Sequence, residues 1–221
     1  MSEYLDTQCH FRQILGVTED PPVDEPQREK NRSERRAALV SAAYALFAER
    51  GYAATTMDDV AQAAGLSRRT AFRYFATKEA LVFPERDDRL VLLADALVAR
   101  EHETPFETVR RACLALARRY QDERDRMLAQ HRLVQSEPAL IGRELQLDRA
   151  FEEQLEQAFA RGERDTSRGK RRARVRASAV IGAVRASLRE WLEGGASTDL
   201  VRLGRETFAE LEQGFGGGGE Q

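Results

Sequence analysis

A chain of 221 residues, 33% of them charged and with a net charge of −2, has room for a sizeable core in one large or two small domains, and its polarity argues for a soluble protein. The best membrane-span candidate, LVLLADALVA, is too short and carries Asp95, and the acidic start MSEYLDTQ lacks the basic and apolar regions of a secretory signal. Cys9 and Cys113 stand far apart without CxxC or Cys/His ligand spacing, so no disulfide framework, metal or cofactor is expected, and a reducing cytoplasm fits best.

Residues 1–27 read as a flexible acidic arm, because Pro21, Pro22 and Pro26 cannot sustain a regular helix, with room for a short helix around Tyr4 to Leu15. From Ser33 the pattern turns helical: Leu39, Ala42 or Ala43, Leu46 and Phe47 recur at three and four, and Gly51 stops the run. Ahead of it, QREKNRSERR is either a basic arm reaching over DNA or a solvated helix start. A second helix opens at Thr56, an N-cap, with Asp58 and Asp59 placed as partners of the helix dipole, and ends at Gly65. Ser67 then caps a third helix, RRTAFRYF, with Ala71 and Phe75 directed inward and Arg68, Arg69, Phe72 and Arg73 outward. Ala61, one turn before Gly65, is small enough to let the two helices cross closely, so this stretch is a helix-turn-helix.

Charge supports that reading. Between residues 28 and 78 ten basic residues face five acidic ones, a net of +5 that leaves −7 for the rest of the chain. A basic block inside an acidic protein points to a polyanion at that block.

Further along, KEALVFPERDDRLVLLADALVARE predicts a fourth helix disturbed at Pro84, and PFETVRRACLALARRYQ a fifth starting at Pro105. DRMLAQHRLVQSE and PALIGRELQLDRAFEEQLEQAFARG follow, separated by Pro138. RGKRRARVR lies on a predicted loop and helix start, a solvated basic segment. ASAVIGAVRASLREWLEG carries Val180, Val184, Leu188 and Trp191 on one stripe, and DLVRLGRETFAELEQG carries Leu200, Leu203, Thr207 or Phe208, and Leu211. Small residues such as Ala179, Gly182, Ala186 and Gly204 allow close helix approach; the stripes fit either a subunit interface or packing within the chain. No convincing strand alternation occurs, and the tail from residue 214 reads as flexible.

Residues 42–82 resemble the DNA-binding domain of TetR-type transcriptional regulators, through F-x-x-x-G-Y-x-x-T-T from Phe47, A-x-x-A-G-L-S from Ala61, F-x-Y-F from Phe72 and K-E-x-L from Lys78. The match spans about a fifth of the chain, and SRRTAFRYFATK with SEPAL is similar to regulators linked to mycofactocin systems. The resemblance implies an all-α homodimer: a helix-turn-helix domain over 28–80, a helical ligand-binding and dimerisation domain over 81–213, a double-stranded operator as partner, and a small-molecule effector that releases it.

On that basis Arg68 and Arg69 are the expected base-edge readers, with guanine O6 and N7 as targets, and Thr70 a contact for a thymine methyl. The resemblance implies bases or sugars for Phe72, and phosphates for Tyr74 and Lys78; Thr56 and Ser67 can add phosphate contacts at helix starts. Phe72, Arg73 and Tyr74 also have plain surface or packing readings. The resemblance places a ligand cavity among the fourth to seventh helices, where Cys113, His131, Arg132 and Gln135 are candidates, and sets the two apolar stripes in a four-helix dimer bundle. An enzyme built on Cys113 and His131 lacks a nucleophile elbow, metal motif or phosphate loop, so no catalytic residue is expected. The alternative is a DNA-binding activator or architectural protein that answers to no ligand.

Overall fold

The structure, a computed structural model, describes residues 25–214 and holds ten helices and no strand among them. The acidic arm before Glu25, its short helix, Cys9 and the tail beyond Gly214 lie outside the described residues. Helix α1 (Glu25–Arg50) begins eight residues earlier than the sequence pattern suggests, because Pro26 falls in the first turn, where a missing N–H costs no intrahelical bond. QREKNRSERR is therefore the helix start, with most side chains exposed. Helices α2 (Met57–Ala63), α3 (Arg68–Tyr74) and α4 (Lys78–Val82) complete the head.

Phe83 to Glu85 break the expected fourth helix at Pro84, so that α4 and α5 (Arg86–Ala96) are separate. Helices α6 (Pro105–Asp122), α7 (Arg124–Ser136), α8 (Pro138–Ala160), α9 (Ser167–Glu193) and α10 (Leu200–Gln213) form the body. Helix α9 starts ten residues before the apolar stripe does, and takes in the whole of the basic run expected as a loop and helix start. Thr166 caps it, and Glu163 pairs with Arg172 and Arg176 along its first turns.

Three apolar cores follow from the helical stripes. The first joins Leu39, Ala43 and Phe47 of α1 to Val60, Ala71 and Phe75, and is closed by Leu81 and Val82 of α4. The boundary expected at residue 80 thus cuts a helix whose last residues belong to the head. Val134 of α7 and Leu140 of α8, both fully buried, also enter this core, so the body finishes the head's interior. In the body, α9 lies along α8 and α10, and α6 packs between α5, α8 and α10. No described helix is long and apolar enough to cross a membrane.

Candidate DNA-reading head and effector cavity

Short-range hydrogen bonds set the head. Thr56 is extended (φ −106°, ψ 163°) and forms a reciprocal cap with Asp59: the Asp59 N–H donates to Thr56 Oγ1 at 3.2 Å, and the Thr56 N–H donates to Asp59 Oδ2 at 2.8 Å. The Thr56 hydroxyl and N–H hold the Asp59 carboxyl below its ordinary pKa. At the other end of α2, Gly65 takes φ +66°, its N–H reaches Gln62 O at 3.0 Å and that of Leu66 reaches Ala61 O at 2.9 Å. This is a Schellman stop, and it needs a residue that tolerates the left-handed region. Two residues on, Ser67 Oγ accepts from the Thr70 N–H at 3.2 Å and starts α3. Ala61 is buried beneath the crossing, as its small size suggested.

Helix α3 buries Ala71 completely and presents Arg68, Arg69, Phe72 and Arg73 to solvent, with Thr70 and Tyr74 half-buried. Phe72 keeps 39% of its surface exposed, more than a core aromatic would. The Arg73 guanidinium lies 5.6 Å from the Tyr74 ring centroid. Arg68 Nη1 donates to Asp58 Oδ2 at 3.1 Å, so Asp58 and Asp59 are not two equivalent dipole partners: one faces the reading helix and the other closes the cap.

Lys78, the expected phosphate contact, is engaged within the head. Its Nζ donates to Tyr52 O at 2.6 Å and Thr55 O at 2.8 Å, and sits 4.1 Å from the Tyr52 ring centroid. The ammonium is spent on tying α4 to the turn before α2. Sequence reasoning missed this because two backbone carbonyls carry no residue-type signal.

In the body a cavity of about 260 Å³ opens between α6, α7, α8, α9 and α10. Its wall is mainly apolar, from residues such as Leu116, Phe151, Leu155, Ile181 and Leu188. Cys113, His131 and Gln135 line it; Arg132 is exposed and does not, since one residue along a helix turns the side chain by about 100°. Desolvation pushes the Cys113 thiol up to about 12, which favours its protonated form.

Glu144, Asp148 and Arg185, unforeseen from the sequence, supply the polar wall. Burial raises both carboxyls above their ordinary range, while Arg185 Nη2, 2.8 Å from Asp148 Oδ2, acts against the rise at Asp148. Tyr120 lines the same cavity, and burial pushes its phenol up to about 12. Its ring lies 4.6 Å from the guanidinium of Arg89, a buried residue of α5 whose Nη2 donates to Glu123 Oε2 at 2.8 Å. A packed path therefore runs from the cavity wall to the helix next to the head.

Half of the expected interface residues turn out to be interior, and the other half are half-buried. Val180, Trp191, Leu200 and Phe208 are buried within the chain, Val184 and Leu188 line the cavity, and Leu203 and Leu211 pack against the body cores. Trp191 Nε1 donates to Thr198 O at 2.9 Å, which fixes the indole inside. An amphipathic stripe shows that a face is covered without showing by what.

Comparison with known proteins gives this geometry its family. The family model "Bacterial regulatory proteins, tetR family" matches residues 39–83, and the MftR C-terminal domain matches residues 103–216, more than half of the chain. The chain belongs to the TetR family. Among relatives of this TetR-family chain, the HTH-type transcriptional repressor Rv3405c of Mycobacterium tuberculosis is 35% identical over 96 residues, 43% of the chain and 50% of the relative. The chain spans about half the length of the curated relatives it matches first.

Two solved structures share its fold. FadR of Bacillus halodurans, a fatty acid degradation regulator, has a TM-score of 0.59 at 17% identity over 82% of this chain and 96% of that one. FadR of Thermus thermophilus, a repressor in complex with lauroyl-CoA, has a TM-score of 0.52 at 24% identity over 81% and 94%.

Proposed function

We propose that this TetR-family chain is a homodimeric transcriptional repressor that holds a palindromic operator through α3 and lets it go when a small molecule fills the body cavity. The observation that carries the reading is the division of α3: Ala71 is fully buried while Arg68, Arg69, Phe72 and Arg73 project to solvent, the arrangement a helix needs to enter a major groove. Arg68 and Arg69 read base edges; Thr56, Ser67 and Tyr74 face phosphates. Lys78 braces the head, and Asp58 stands beside the reader.

The mainly apolar cavity suits an effector with an apolar body, the chemistry of the lauroyl chain carried by the Thermus FadR, and Cys113, His131, Gln135 and Tyr120 are the side chains set to meet its polar part. Displacing the Tyr120 ring moves Arg89 and with it α5, which shifts the head. An effector releases DNA only as far as it favours the shifted arrangement.

For the dimer, the interior location of the expected stripe moves the interface to the opposite side of α9. There Val175, Ala179, Gly182 and Ala186 are exposed at spacings of four, three and four, and nothing lies within 4 Å of where a Gly182 Cβ would stand. A partner helix can approach closely along that row.

Fluorescence anisotropy of the full chain on the DNA upstream of its own gene, against a scrambled duplex at two salt concentrations, tests the reading. Tight, sequence-selective binding with two chains per duplex supports it. Equal and strongly salt-sensitive binding to both duplexes counts against a specific operator contact.

A further inference from the structure

Asp58 and Asp59 are adjacent in sequence and engaged in opposite directions. Asp59 is used up inside α2, where its carboxylate takes the N–H and the hydroxyl of Thr56. Asp58 instead receives Arg68 Nη1 at 3.1 Å from across the helix-turn-helix, while the Arg68 guanidinium lies 5.4 Å from the Phe72 ring centroid one turn further along α3. Arg68 is thus gripped on two sides. Arg69 and Arg73, its exposed neighbours on α3, have no carboxylate partner among the described residues.

We propose that Asp58 is a specificity-determining residue of the DNA-reading surface: with Phe72 it holds the Arg68 guanidinium in one reading pose, and its own charge resists DNA that does not satisfy that pose. The inference rests on the DNA-binding reading above.

Folding energetics do not account for the pair. The two side chains keep 70% and 55% of their surface exposed, and ion pairs that open to water contribute little to stability. Placed against DNA, the same pair loses its water and its interaction strengthens. An unrestrained arginine carries large rotamer entropy that must be given up on binding, and a restrained one has already given up part of it. Asp58 occupies one of the five guanidinium N–H donors, which leaves enough of the fork for the two acceptors of a guanine edge. A carboxylate this close to the reading group also repels phosphate oxygens. A misregistered duplex that brings phosphate to Arg68 therefore meets the Asp58 charge, whereas a base edge in register does not.

The test uses the full chain, a duplex it enriches from a random-sequence pool, and a random control duplex. Binding of wild type, Asp58→Asn, Asp58→Glu, Arg68→Ala and the Asp58→Asn/Arg68→Ala double variant is measured by anisotropy, and each variant's base preferences come from the same pool selection. Asn keeps the shape and the start of α2, and thermal unfolding verifies that the fold is retained.

Asp58→Asn is expected to bind the control duplex more tightly and to lower the ratio of enriched to control affinity by about tenfold. Its preference should relax at the base pair that Arg68→Ala also relaxes, with no further relaxation in the double variant and partial recovery in Asp58→Glu. A uniform tightening on both duplexes with unchanged base preferences would make Asp58 a mere surface charge and overturn the inference while leaving the DNA-binding reading standing. Failure of the wild-type chain to enrich any sequence would overturn both.

Discussion

The head and the body are held by contacts of different reach. In the head, Thr56 caps through Asp59 and Ser67 through the Thr70 N–H, each three residues away. In the body, the polar contacts that shape the cavity and its connection to α5 join distant segments: Arg89 to Glu123 across 34 residues, Asp148 to Arg185 across 37, and Gln121 Oε1 to the Leu200 N–H across 79. Local contacts write themselves into residue order; distant ones do not. The head's capping chemistry is consequently readable residue by residue, and the polar chemistry around the body's cavity is not.

Four measurements sharpen this contrast, beginning with the largest effect. Arg89→Ala leaves Glu123 buried beside a void and should cost about 3–5 kcal/mol in chemical denaturation, the usual result of removing one partner from a buried ion pair. A loss below about 1 kcal/mol would mean that water or Arg119, itself 2.6 Å from Glu123, takes over the carboxylate. Lys78→Ala tests a long-range contact in the head that defeats a local reading. It should lower stability by about 1.5–3 kcal/mol through the two lost charge-assisted bonds, with the salt slope of DNA binding unchanged. A slope reduced by about one unit with stability intact would return Lys78 to the phosphate.

The next comparison asks whether one local device is worth the same in both regions. Thr104 and Glu107 at the start of α6 repeat the reciprocal cap of Thr56 and Asp59. Thr56→Ala and Thr104→Ala should each cost about 1 kcal/mol in unfolding experiments. A large disparity would show that tertiary setting governs even these caps.

The smallest effect is a pH dependence. Hydrogen bonds from Arg111 above all hold the Glu103 carboxyl down at about 2, below its unfolded value of 4.5, so the folded state binds fewer protons than the unfolded one in that window. Its contribution is complete above the unfolded value and fades as the pH falls towards about 2. Glu103→Gln should flatten that part of the acid limb, and an unchanged limb would remove Glu103 from the balance.

Much of the fold was legible. Apolar residues at three and four, Pro at helix starts and Gly at helix ends gave the all-helical class, and the Thr56, Gly65 and Ser67 punctuation set out the helix-turn-helix. Errors arose where a residue type permits two outcomes. Pro26 breaks a helix interior but suits a first turn, and the basic run before Ala177 is as content in a helix beside Glu163 as in a loop. Leu200 and Trp191 announced burial, and only the packed chain shows that the cover is their own body. His131 lines the cavity and its neighbour Arg132 does not, a matter of helix phase that composition does not carry.

The seating of Val134 and Leu140 in the head's core bears on protein engineering. A cut after α4 would open an apolar socket in the excised head and leave two greasy plugs on the remaining body. A designer who grafts this reader onto another sensor to make a hybrid switch must therefore transplant the seam as well as the helix-turn-helix. The portable unit is the head together with the α7–α8 corner on which it rests.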